Sequence, residues 1–227
     1  MILIHIWPRS LAIGLIALAA GPLLIVQAQA QTQTAGNTSL NAQLLVAARQ
    51  ADTSAVQQAL ARGAAVNSRN RLGKTVLLIA AEKGQLPMAA AALMAGADVN
   101  LASLERVTPL MAASHGGHAG LVRDLLDAGA RTDDVDRMRK PAIVYAAGQG
   151  HAAAVQLLLD RGVPANAAYE NQLTALMWAA GSGSADTVRL LLARGAQIGL
   201  LDDRGLTAQA IALQAGHAEV AALLGPR

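Results

Sequence analysis

Apolar positions along most of the chain follow the pattern of paired short helices. In residues 108–130 the second of two helices is marked by apolar residues spaced i, i+1, i+4, i+5: Leu121, Val122, Leu125 and Leu126. Thr108 is suited to cap the first helix, and Pro109 fits its first turn, where a missing N–H costs nothing. Gly117 and Gly129 are expected to end the two helices. The segment therefore predicts a helix–turn–helix unit.

This unit recurs with a period of 33 residues. The positions after the second helices are Gly63, Gly96, Gly129, Gly162 and Gly195. The positions that open the first helices are Thr75, Thr108, Pro141, Thr174 and Thr207. Neither helix can bury its apolar side alone, so the copies must stack to form a core. We predict an all-α solenoid over 41–227, with repeats at about 42–66, 75–99, 108–132, 141–165, 174–198 and 207–227.

Three segments carry a family resemblance: "TPLMAASHGGHAGLVRDLLDAGA" (108–130), "GKTVLLIAAEKGQ" (73–85) and "LTALMWAAGSGSADTVRLLLARGAQI" (173–198). They resemble the ankyrin repeat, and the chain as a whole is similar to small exported bacterial ankyrin proteins. The resemblance implies stacked helix pairs joined by finger loops. Three of the fingers carry Arg106, Arg139 or Gln172 where the family pattern has glycine. That substitution bears on the finger geometry and not on the fold.

The N-terminus predicts export. Arg9 precedes a sixteen-residue apolar run, Leu11–Val26, which is followed by Ala28-Gln29-Ala30. This order is typical of a secretory signal peptide, here 1–30, followed by a flexible polar linker at 31–40. The alternative is an uncleaved membrane anchor, but the run is shorter than the roughly 20 residues that span a bilayer. We therefore expect a periplasmic chain with no stable membrane anchor after cleavage.

Composition narrows the possible chemistry. The chain has no cysteine, which excludes disulfides, Cys-ligated zinc and thiol nucleophiles. Its net charge of +3 is spread thinly, so nothing calls for a nucleic-acid partner. The acidic pairs Asp133-Asp134 and Asp202-Asp203 are interpreted as solvated loop residues. No catalytic constellation is recognised, and no cofactor is expected.

The histidines divide into two groups. His118, His151 and His217 each follow a turn glycine at the same repeat position, which favours a role in the turn. His115 is outside this series, on the last turn of a first helix. A metal site at His115 and His118 would need a third ligand, and no further histidine or acidic residue lies near in sequence. A surface position for His115 in a binding face is the favoured interpretation.

The resemblance implies that partners bind at the finger tips and at the exposed side of the first helices. The fingers are then 68–74, 101–107, 134–140, 167–173 and 200–206. Tyr145 and Trp178 occupy equivalent positions in adjacent repeats, so we expect them to stack side by side. They are either exposed interface anchors or residues packed between helices. Tyr169 would extend this aromatic cluster.

Basic residues recur in the first three fingers: Arg69, Arg71, Lys74, Arg106, Arg137, Arg139 and Lys140. Together they would form a basic rim that favours an acidic partner. The alternative, ordinary solvated loop charges, stays open because Glu105 and Asp136 dilute the patch.

The sequence thus predicts an exported, non-enzymatic and monomeric module that binds another protein through its fingers and concave helix face. One alternative is an accessory scaffold that protects a specific periplasmic enzyme. The others are a metal-binding protein that uses His115 and His118, and a cytosolic or membrane-tethered effector.

Overall fold

The computed structural model describes residues 40–225, and it is all-helical apart from loops and one isolated bridge. The predicted signal peptide and nearly all of the predicted linker lie outside these residues. Within 40–225, no helix combines the length and the apolar character needed to cross a membrane.

Twelve α-helices form six pairs in the described part of the chain. The first helices of the pairs are α1 (40–50), α3 (Val76–Lys83), α5 (Pro109–His115), α7 (Ala142–Gly148), α9 (Ala175–Gly181) and α11 (Ala208–Gln214). The second helices are α2 (Thr53–Ala61), α4 (Leu86–Met94), α6 (Ala119–Asp127), α8 (Ala152–Asp160), α10 (Ala185–Ala193) and α12 (Ala218–Leu223). The predicted all-α class, a solenoid of six stacked helix pairs, is confirmed.

The helices form two layers. From α3 onward, each first helix packs on the first helix of the next repeat and on the second helix of its own. The second helices pack on one another in the same order, from α2 to α12. Leu77, Leu110, Ile143 and Leu176 fill equivalent, fully buried positions between the layers. The core is therefore a continuous apolar strip that no single repeat could form.

Threonine side chains start four of the first helices, as the sequence predicts. The Oγ1 atoms of Thr75, Thr108, Thr174 and Thr207 each accept a hydrogen bond, 3.2 or 3.3 Å long, from the amide three residues on. Each bond satisfies an N–H that the helix itself cannot pair. At Pro141, which takes the same position before α7, no side-chain cap is formed.

The finger loops turn in a left-handed conformation whether or not glycine is present. Gly73 and Gly205 both have φ of 74°, and Arg106, Arg139 and Gln172 have φ of 61°, 58° and 57°. Holding a non-glycine residue there costs about 1–2 kcal/mol. At these three positions the backbone therefore keeps a glycine-like conformation, at an energetic cost.

Backbone hydrogen bonds join neighbouring fingers, with one interruption. Leu104 N donates to Leu72 O (3.0 Å), Arg137 N to Glu105 O (3.3 Å) and Asp203 N to Asn171 O (3.1 Å). The equivalent bond from Glu170 N to Met138 O is absent in residues 40–225. At that step, an ion pair of 3.0 Å between Arg139 and Glu170 connects the two fingers instead.

A second series of bonds joins the loops after the second helices. Asn67, Asn100 and Asn166 accept through Oδ1 from the amides of Asp98, Arg131 and Gln197, at 2.8 or 2.9 Å. The series skips Asp133, because the residue that would donate is Pro164, which has no N–H. Both series are therefore interrupted at the fourth repeat.

Thr187 is fully buried, and its hydroxyl has no hydrogen-bond partner in the described residues. Thr187→Val has nearly the same shape and removes the unpaired group, so we expect it to raise the free energy of unfolding by about 1 kcal/mol. Chemical denaturation would measure the change. Thr174→Val is the matched control, since it removes a capping hydroxyl and should cost about 1 kcal/mol. A loss of stability in both variants would contradict the assignment of an unpaired hydroxyl.

Candidate functional site

The three histidines of the repeat series pack against left-handed glycines of the preceding repeat. A Cβ on Gly117 would lie only 2.5 Å from His151 Nδ1, and one on Gly183 would lie 2.6 Å from His217 Nδ1. The ring of His118 lies in the same way against Gly84. His151 Nε2 is also 3.0 Å from the carbonyl oxygen of His115. The imidazoles thus fill the space left by each glycine and link successive turns.

The His115 and His118 rings have different neighbours. His115 is exposed, and its ring meets Tyr145 edge to face, with centroids 5.6 Å apart and an interplanar angle of 73°. The His118 ring is instead enclosed by Gly84 and Gly116. In residues 40–225, no group of three or more His, Cys, Asp or Glu side chains is placed to hold a metal. Each histidine therefore has its own packing role.

Tyr145 is half-buried on the first-helix side of the fourth repeat. Its hydroxyl donates to Asp136 Oδ2 at 2.5 Å. The other oxygen, Asp136 Oδ1, accepts from the Met138 and Lys140 amides, both at 2.8 Å. Asp136 is only 3% exposed, so these bonds compensate a buried charge. They also fix the third finger against α7.

Trp178, in α9, is half-buried and has one ring face under a cation. Lys140 Nζ lies 4.6 Å from the centroid of the Trp178 ring, within the range of a cation–π contact. The expected stacking of Tyr145 on Trp178 is wrong. The aromatic contact of Tyr145 in the described residues is with His115, and Trp178 packs towards Gly148 and Lys140.

Tyr169 lies at the base of the fourth finger, and among the described residues it does not form a ring cluster with Tyr145 or Trp178. It is half-buried against the apolar core. Its position corresponds to that of Asn70, Asp136 and Asp202, whose side-chain oxygens accept two amide bonds within their own fingers. A tyrosine cannot form that turn. The fourth finger instead makes a short 3₁₀ turn, Glu170–Gln172.

Both tyrosines are expected to ionise at a higher pH than a tyrosine in solution. Burial, followed by the hydrogen bond to Asp136, raises the pKa of Tyr145 above its ordinary value. Burial raises the pKa of Tyr169 to about 12. Since unfolding returns both to a pKa of about 10, stability should be complete below pH 10 and fall as the pH rises towards 12. Ultraviolet absorbance should show tyrosinate at pH 11 only after denaturant is added. The Tyr145→Phe variant would show which part of the absorbance change belongs to Tyr145. Tyrosinate in the native chain at pH 11, without denaturant, would contradict the burial of these rings.

Three of the seven residues of the expected basic rim are paired with acidic side chains within the chain. Ion pairs join Lys74 to Glu82 (2.7 Å), Arg137 to Glu105 (3.5 Å) and Arg139 to Glu170 (3.0 Å). Arg69 donates to the carbonyl oxygens of Gly73 and Ala102 and supports the finger stack. Arg71 and Arg106 are exposed and have no ion-pair partner in the described residues. The basic character is therefore confined to fewer residues than the sequence suggests.

Two features of the fingers escaped sequence analysis. The fingers expose Leu72, Leu104 and Met138, each more than half accessible. The sequence signal that could have revealed them is the presence of large apolar residues within the finger loops. The interpretation of Asp202 as solvated is wrong, because it is 6% exposed. Burial by itself would raise its pKa, but hydrogen bonds from the Leu206 and Arg204 amides and from the Arg204 guanidinium lower it.

Two pockets open on the first-helix side at equivalent positions, 66 residues apart. The first, of about 250 Å³, is lined by Glu82, Val107, Met111, Ala112, His115 and Tyr145. The second, of about 320 Å³, has at the same positions Gly148, Leu173, Met177, Trp178, Gly181 and Ile211. Two polar side chains of the first pocket are thus replaced by glycine in the second, which is larger and more apolar.

Comparison with known proteins agrees with this architecture. A search of curated proteins gives no significant match to the chain. The family model for ankyrin repeats matches three times, over residues 44–136, 120–202 and 143–226. Together these matches span all six helix pairs. Ankyrin repeats generally serve as non-enzymatic modules for protein–protein interaction. The chain belongs to the ankyrin-repeat family.

Proposed function

We propose that this chain is an exported, non-catalytic module that binds another protein through its fingers and the exposed side of its first helices. The observation that carries the proposal is the half-buried pair Tyr145 and Trp178, held on that side by Asp136 and Lys140. Aromatic residues that are partly exposed and held in place by neighbouring side chains are typical interface anchors. The exposed apolar side chains of Leu72, Leu104 and Met138 on the fingers would add further contacts to a partner.

A non-catalytic role is supported by how the reactive side chains are used. His118, His151 and His217 fill the space beside turn glycines. The hydroxyls of Ser182 and Ser184 hydrogen-bond to each other at 2.8 Å. Rigid display is the mechanism we infer, since stacked helices hold the fingers in place before a partner arrives and reduce the entropy cost of binding.

Export to the periplasm is part of the proposal and is supported by residues 1–30 of the sequence. Purification of the chain from its native cell and sequencing of its N-terminus would test it. A mature chain that starts at Gln31 is the expected result. A retained N-terminal segment would overturn this part and leave the binding proposal standing.

Affinity capture tests the binding function. The partner would be isolated from a native periplasmic extract with the unmodified chain and then titrated against variants. Trp178→Ala should weaken binding by about 2 kcal/mol, or roughly thirtyfold, if Trp178 is an anchor. Met94→Ala is the control, because Met94 is exposed on the outer helix layer. Unchanged affinity with lower stability would show that Trp178 serves the core instead.

A further inference from the structure

The two equivalent pockets differ in whether their lysine is neutralised by a carboxylate. Lys74 pairs at 2.7 Å with Glu82, which lines the first pocket. Lys140 is the equivalent lysine of the second pocket, and the residue equivalent to Glu82 is Gly148. Lys140 consequently has no carboxylate partner in residues 40–225, and its ammonium group lies over the Trp178 ring. One repeat provides the counter-ion and the other lacks it.

The same glycine leaves apolar surface open beside the cation. A Cβ on Gly148 would lie 3.4 Å from Trp178 Cε3, in ordinary van der Waals contact. A longer side chain there would cover the edge of the ring, as Glu82 covers the first pocket. Gly181, which also lines the second pocket, takes the position that His115 has in the first, so a second side chain is absent. The ring edge, Met177 and Ile211 therefore line an uncovered apolar pocket of about 320 Å³.

Lys140 brings an unpaired positive charge to this pocket through its contact with Trp178, one of the residues that line it. Arg204 also lines it, but its guanidinium is held by Asp202 at 2.8 and 2.9 Å. A pocket with an apolar floor and one uncompensated ammonium group is complementary to a carboxylate next to an apolar side chain. Its volume suits one side chain and not a whole helix face.

We propose that the second pocket binds an acidic segment of the partner protein, with an apolar side chain against Trp178 and an adjacent carboxylate on Lys140. This proposal rests on the proposed function and specifies the chemistry of the partner. The partner's carboxylate takes the place that Glu82 takes beside Lys74.

The test is selection from a library of random twelve-residue peptides displayed on phage, with the full chain as bait. We expect enriched peptides to carry Asp or Glu within two residues of a large apolar residue. Synthetic versions would then be titrated by fluorescence anisotropy against four variants. Gly148→Glu supplies the missing carboxylate from within, and Lys140→Met removes the charge but keeps the stem. Gly148→Gln has the size of glutamate without its charge, and Lys74→Met alters the lysine that is already paired.

Gly148→Glu and Lys140→Met should each weaken peptide binding by about tenfold or more, as expected for the loss of a charge-assisted contact. Gly148→Gln should have a smaller effect, and Lys74→Met should have none. Circular dichroism and thermal unfolding would confirm that each variant is folded.

Three results would overturn the proposal: enrichment of neutral or basic peptides, equal effects of Gly148→Glu and Gly148→Gln, or no enrichment above that on the Gly148→Glu chain. None of them removes the binding function itself, which depends on the natural partner and the response to Trp178→Ala. If Trp178→Ala left the affinity for the natural partner unchanged while the chain still recognised acidic peptides, the proposed function would be rejected and the proposed peptide site would stand.

Discussion

Gly117→Ala is expected to lower the free energy of unfolding by about 3 kcal/mol, among the largest losses from the addition of one methyl group to this chain. Gly117 has φ of 68°, where an L-residue costs about 1–2 kcal/mol. The new Cβ would also lie 2.5 Å from His151 Nδ1, so the imidazole must move, at a further cost of about 1–2 kcal/mol. Urea denaturation monitored by circular dichroism would measure the sum.

Gly129→Ala separates the two contributions. Gly129 has φ of 87°, but a Cβ there would meet no atom within 4 Å. It should therefore cost only about 1–2 kcal/mol. Adding His151→Ala to Gly117→Ala should recover part of the larger loss, since the ring that clashes is gone. Equal losses at the two glycines, with no recovery in the double variant, would show that the histidine does not pack as described.

Asp136→Ala is expected to lower the free energy of unfolding by about 3 kcal/mol. The change removes the acceptor for the Met138 and Lys140 amides and for the Tyr145 hydroxyl, each hydrogen bond to a charged group contributing about 1 kcal/mol or more. Because Asp136 also raises the pKa of Tyr145, the native chain should ionise that tyrosine at lower pH in the variant. Thermal unfolding and ultraviolet titration would follow the two effects separately.

Asp136→Asn is the matched control, and the chain itself contains the reference. Asn70 occupies the same position in the first finger, and its Oδ1 accepts from the Leu72 and Lys74 amides at 2.9 and 3.0 Å. An asparagine at 136 should therefore preserve the third finger and cost clearly less than alanine. If the two variants were equally unstable, the charge and not the finger hydrogen bonds would hold this site together.

The helical repeats could be predicted because their signals are local. Thr108, Pro109 and Gly117 act on their own turn of the chain, and the structure uses each as predicted. The finger conformation could not be read from residue type. Arg106, Arg139 and Gln172 adopt a glycine-like φ because the finger hydrogen bonds around them outweigh a cost of about 1–2 kcal/mol each.

The candidate site was harder to predict, since it depends on contacts between repeats. Arg137 and Arg139 pair with Glu105 and Glu170, which are about one repeat away in sequence, and these pairs reduce the charge of the expected rim. The Trp178 ring likewise contacts the ammonium group of Lys140, which is far from it in sequence. One difference was accessible from the sequence: once repeats are aligned, Glu82 and Gly148 occupy the same position beside equivalent lysines.

The interruption of both hydrogen-bond series at the fourth repeat has a consequence for cooperativity. Stacked repeats unfold together only as far as the interfaces between neighbours are strong. Between the third and fourth fingers, a surface ion pair stands in for a backbone bond, and Pro164 removes the bond from the loop below. The array would then open first at this junction, as two folding blocks. Lys140 and Leu173 lie in the two fingers that meet there, so a partner seated against them would join the blocks and make them unfold as one.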